Sequence, residues 1–110
     1  MELTEEPLVN VLDILRKRGY TEDFNLLEEH VAYKKAGKKA HISELVIDKI
    51  YRFTGLNDIE DEAILYAISN TKDGMKGILV NGYATNADPQ ADKIIDQIPV
   101  KLIPGDWLKK

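Results

Sequence analysis

The sequence predicts an α+β domain: an antiparallel meander of three to four strands, with N- and C-terminal helices packed on one face to give two layers. Three observations lead there. Three runs, "ELVIDKIYRF" (44–53), "EAILYAIS" (62–69) and "KGILVNGY" (76–83), are rich in branched and aromatic residues and bounded by turn residues. A segment near each end carries apolar residues at helical spacing. The links between the three runs are too short for a parallel crossover, so neighbouring strands should run antiparallel.

The first helix is expected over about residues 5–18. Leu8, Val11, Leu12 and Leu15 form its stripe, with Val9 and Ile14 at the margins. Thr4 suits the N-cap, Glu5 and Glu6 suit the positive end of the dipole, and Pro7 is tolerated that early. Arg16, Lys17 and Arg18 then lie in the last turn, and Gly19 fits a left-handed cap. "YTEDFNLLEEHVAY" (20–33) follows no single period, and an edge strand is expected near His30–Tyr33. "KKAGKKA" (34–40) reads as a flexible basic loop.

The run 44–53 alternates imperfectly. Leu45 and Ile47 share one face and Ile50 falls on the other, which a bulge near Asp48–Lys49 would reconcile. The run 62–69 is apolar on both faces, as in a central strand covered on both sides. Asp73–Gly74 marks the turn into 76–83. In the second helix, Asp88 is the cap and Pro89 the first helical residue. Ala91, Ile94, Ile95 and Ile98 are its stripe, and Pro99 is its stop. The tail over about 100–110, with the single Trp107, either folds back or stays flexible. One domain over 1–110 is expected, since a chain of 110 residues buries roughly 65% of its unfolded surface, enough for one core.

Composition narrows the function classes. A net charge of −4 argues weakly against nucleic-acid binding, which needs a clustered basic face. The absence of cysteine removes disulfides and thiol chemistry and fits the cytoplasm. The acidic, amphipathic start does not read as a signal peptide, and no apolar run approaches the length of a membrane span.

The candidate sites are sparse. "NDIEDE" (57–62) gathers four acids, Asp58, Glu60, Asp61 and Glu62, but lacks the glycine of a calcium loop and places Ile59 inside it. It reads as a turn, with no metal. His30 and His41 show no ligand spacing. Lys34, Lys35, Lys38 and Lys39 read as protection of a sheet edge against aggregation. Gly77 and Gly82 suggest close backbone approach through packing. Asp48 and Arg52 share a face only if no bulge intervenes. Arg52 with Tyr51 and Tyr66 is the most site-like cluster, an anion hook for a small molecule or phosphate.

"GYTEDFNL" (19–26), "YRFTGLNDIEDEAILYAIS" (51–69) and "KGILVNGYATNAD" (76–88) together resemble a family of small bacterial proteins of about this length. Its pattern runs TEDFNL, RFEG, YAIS and KGxLVxxYG. Thr54 stands here where that pattern has Glu, and Ala84 where it has Gly. Members often bear the label phosphoribosylpyrophosphate synthetase. Those enzymes are much longer and bind pyrophosphate through an Asp- and Gly-rich loop after a parallel strand, and this sequence supplies no such loop. The resemblance therefore implies a fold and no chemistry.

The sequence names no reaction, no catalytic residue and no cofactor. The expected function is a non-catalytic module that binds itself, as a homodimer, or another protein. The alternative is a small-molecule, phosphate or nucleotide binder built on Arg52, Tyr51 and Tyr66.

Overall fold

The computed structural model describes residues 2–26, 31–33, 39–53, 63–82 and 93–108. It is an α+β fold. Strand β1 (Glu2–Thr4) leads into helix α1 (Leu8–Lys17), followed by β2 (Glu22–Leu26), β3 (Val31–Tyr33) and β4 (Lys39–Ala40). A short 3-10 turn (Ile42–Glu44) precedes β5 (Leu45–Phe53), β6 (Ala63–Asn70) and β7 (Lys76–Gly82). Residues 93–95 are helical.

The sheet is mixed rather than an antiparallel meander alone. A five-stranded body has the order β1-β5-β6-β7-β2, and β3 and β4 extend it past β2. β5, β6 and β7 pair antiparallel in sequence order, whereas β1 runs parallel to β5 and β2 parallel to β7. Sequence adjacency led to the expectation of a meander. The parallel pairs join segments distant in sequence, with helix α1 between β1 and β2 as the crossover that parallel geometry requires.

The expected packing of both helices on one face is also corrected. Val11 and Leu15 of α1 bury against Tyr51, Phe53, Leu65, Ala67 and Ile78. Ile94, Ile95 and Ile98 bury against Phe24, Leu45, Ile47, Tyr66, Ile68 and Leu79. Leu65 and Ala67 alternate with Tyr66 and Ile68 along β6, so the two cores lie on opposite faces. This is the physical meaning of the two-sided apolar pattern in β6. A strand apolar on both faces needs a cover on both.

β5 reaches both cores through an irregularity. The β5–β6 register shifts between Ile47 and Lys49. Odd-numbered Leu45 and Ile47 face the C-terminal core before it, and odd-numbered Tyr51 and Phe53 face α1 after it. One extra residue, Asp48, reverses the alternation.

α1 starts later than its pattern suggests. Thr4 belongs to β1, and its hydroxyl accepts the Glu6 N–H at 3.0 Å, a local turn that competes with helix initiation. The C-terminal end is a Schellman cap. The N–H of Gly19 (φ 98°) bonds Arg16 O, and that of Tyr20 bonds Leu15 O. Gly77 is buried where β2 crosses beside β7. A Cβ there would stand 2.5 Å from Glu22 O and 2.8 Å from the Phe24 ring. The expected turn before β7 is present, with Gly74 at φ 76° and its N–H bonded to Asn70 O.

The tail folds back. Ile47 N–H donates to Pro99 O, Lys101 N–H to Ile47 O, and Ile103 N–H to Asp48 O. It thus lies along the first half of β5's outer edge, while β1 takes the second half. Among the described residues no helix is long and apolar enough to cross a membrane.

Candidate functional site

Two buried charged side chains, Asp48 and Lys49, lie where the bulge, the α1 cap and the tail meet. The cap turns the chain at Gly19 and delivers Tyr20 into the α1-side core, where it is 1% exposed. A double arginine contact holds that turn: Arg16 donates to Tyr20 O at 3.0 Å and pairs with Asp23 at 2.7 Å. The bulge turns Asp48, 6% exposed, toward the same face. Asp48 Oδ2 accepts hydrogen bonds from Tyr20 Oη at 2.7 Å and from Ser69 Oγ. A buried carboxylate is tolerable only with such donors.

Cations and aromatic rings surround this group. Trp107 packs on Tyr20 with ring centroids 5.8 Å apart and planes tilted by 42°. The Arg18 guanidinium lies 4.4 Å from the Trp107 centroid and Lys49 Nζ 5.0 Å from it. Lys76, the register partner of Ser69, places Nζ 5.3 Å from the Tyr20 centroid. Lys49 is itself buried and donates to Gly105 O, which ties the tail to β5. Burial first, then the hydrogen bond to Asp48 and its negative charge, push the Tyr20 phenol well above its ordinary value of 10.0. Tyr20 therefore stays a donor. The arrangement binds α1, β5, β6 and the tail together; both hydroxyls are turned inward onto Asp48.

The sequence-predicted cluster is divided by the sheet. Tyr51 pairs with Leu65 and lies fully buried under α1. Tyr66 pairs with Ile50 in the opposite core, and Arg52 pairs with Ile64 on that same face. Arg52 and Tyr66 are thus diagonal neighbours, and Tyr51 is on the other side. Asp48 and Arg52 are likewise separated, because the bulge intervenes. His41 is exposed at the start of the 3-10 turn. His30, the acids at 57–62 and Lys34, Lys35 and Lys38 lie outside the described residues. No group of three or more His, Cys, Asp or Glu among the described residues could hold a metal ion.

The Asp48 cluster was missed because its members are far apart in the chain. One signal pointed to it: an acid placed where the alternation of an otherwise apolar strand fails. Comparison with protein-family models, with curated proteins and with solved structures yields no match.

Proposed function

We propose that the protein is a non-catalytic binding module, which associates with itself or with another protein. One observation carries the reading. Six large apolar side chains are exposed among the described residues, and four of them, Leu3, Val100, Leu102 and Ile103, belong to the two segments that flank the outer edge of β5. A fifth, Val9, sits in the first turn of the helix that β1 leads into. Scattered exposed apolar residues need no explanation, but a row of them along one sheet margin marks an interaction surface. The inward-facing hydroxyls of Tyr20 and Ser69 fit a structural role for the polar cluster, and the separation of Tyr51 from Arg52 weighs against an anion hook there.

Thermal-shift screening against nucleotides and sugar phosphates tests this. A ligand at about 100 times its dissociation constant adds roughly 2.7 kcal/mol of stability. The expected result is no shift. A reproducible, saturable shift would overturn the reading in favour of a small-molecule binder.

A further inference from the structure

The tail is a strap with one anchor. It starts on one face of the sheet, after Ile94, Ile95 and Ile98, and ends on the other, where Trp107 and Leu108 pack against the α1-side core. In between it rounds the first half of β5's edge, parallel to that strand at the Ile47–Val100 bridge. Its hold there is through the main chain. It pairs with the N–H of Ile47 and the carbonyls of Ile47 and Asp48, and every side chain from Pro99 to Asp106 is exposed. Gly105, at φ 112°, then makes a left-handed turn, and its carbonyl accepts a hydrogen bond from buried Lys49. Asp106 Oδ1 accepts the Leu108 N–H at 3.1 Å, a second local turn. The two turns bring the Trp107 ring onto Tyr20, within reach of Arg18 and Lys49.

We propose that the edge of β5 at Ile47 and Asp48, with the cup formed by Arg18, Tyr20 and Lys49, is a docking site for an extended segment of another protein. The tail is its built-in occupant, which such a segment displaces. This rests on the binding-module reading and names its surface and the chemistry of its partner. The tail shows what fits. The segment runs parallel to β5, gives that strand one carbonyl and two N–H groups, and ends in a glycine, an Asp or Asn, an aromatic residue and an aliphatic one. Main-chain pairing supplies affinity with little regard to side chains, and the cup supplies the choice. Two cations beside one ring favour the electron-rich face of an indole. The same division makes the tail replaceable. An occupant with many buried side chains would leave only with the core, whereas this one leaves by giving up its bonds to Ile47 and Asp48, the Lys49 contact and the Trp107–Leu108 anchor. Its tether gives it an effective concentration on the order of millimolar. The tail therefore guards the edge against weak pairing and yields to a segment that fits the cup better.

A synthetic peptide of residues 99–110, labelled with fluorescein at its N-terminus and followed by anisotropy, tests the site. The full chain carrying Lys101→Pro and Trp107→Ala lacks the anchor ring and one main-chain donor to β5. Circular dichroism checks its folding, and Lys101→Pro alone, at an exposed position, serves if the double variant unfolds. The peptide is expected to bind the variant saturably, and at least about tenfold more tightly than the wild type, whose own tail competes. Because Trp107 is the only tryptophan of the chain, the indole emission of unlabelled peptide should shift to the blue on the double variant. Trp107→Ala in the peptide should weaken binding at least about tenfold. Val100→Thr with Leu102→Thr in the peptide should change it less than about threefold, since both side chains are exposed in the docked tail. No saturable binding to a folded variant overturns the inference, and so does binding indifferent to Trp107→Ala. A wild-type dimer that Trp107→Ala abolishes would assign the site to the tail of a second copy and overturn the partner named here. A saturable shift in the ligand screen would instead remove the reading beneath it.

Discussion

Tyr20→Phe removes one of the two hydroxyl donors to Asp48 Oδ2 and leaves the ring in place. The buried acceptor then loses a partner, at an expected cost of about 1–3 kcal/mol near neutral pH. The cost should shrink in alkali. In the unfolded chain Tyr20 releases its proton near pH 10, whereas in the fold burial and Asp48 hold the proton on above that pH. The folded state therefore binds more protons above pH 10, and wild-type stability falls as pH rises. The phenylalanine variant lacks this contribution. Urea unfolding at about pH 9 and pH 11 should show the gap between the two proteins narrowing by roughly 1.4 kcal/mol per pH unit above 10. A gap that stays constant would mean that neither burial nor Asp48 holds the proton on Tyr20 in the fold. Asp48 itself was half legible. Broken alternation placed a bulge near it, but no spacing rule leads from Asp48 to Tyr20 or Ser69, which arrive from other elements.

At the scale of elements, the tail is held by few side chains. From Pro99 to Asp106 every side chain is exposed, so its attachment rests on backbone hydrogen bonds, the Lys49 contact and Trp107. Trp107→Ala removes the ring that packs on Tyr20 and lies against Arg18 and Lys49. Native-state hydrogen exchange should then show the amides of Ile47, Lys101 and Ile103 exchanging at least about tenfold faster, with those of β6 unchanged. Uniform acceleration across the sheet would show instead that the tail opens only with the whole fold. The elements were unevenly readable. β5, β6 and β7 announce themselves because each is long enough to show composition and turn signals. β1 was hidden by its length of three residues and by Thr4, whose preference for caps suits a helix start as well as a turn. β2 was ambiguous because its partner, β7, is about fifty residues away, and the small residue that admits it, Gly77, signals close approach without saying to what.

For the molecule as a whole, self-association, if it is the proposed binding, would tie folding to protein concentration. A dimer that folds and associates together should make Tm rise with protein concentration, by roughly 3 °C for each tenfold increase. A Tm independent of concentration would exclude coupling between folding and association. The class of fold was legible from periodicity, but its layering was not, although β6 held the clue: Ala63 to Ile68 is apolar on both sides, and helices gathered on one face would leave half of it wet. The reversal at Asp48 has a consequence for chain length. Downstream of it, the phase of β5 is set by a count and not by side-chain identity. Shortening the strand there by one residue would swing the Tyr51 and Phe53 rings out of the α1 layer and into the space beside Ile94 and Ile95, so a one-codon deletion would turn the second half of the strand inside out without altering any of its letters.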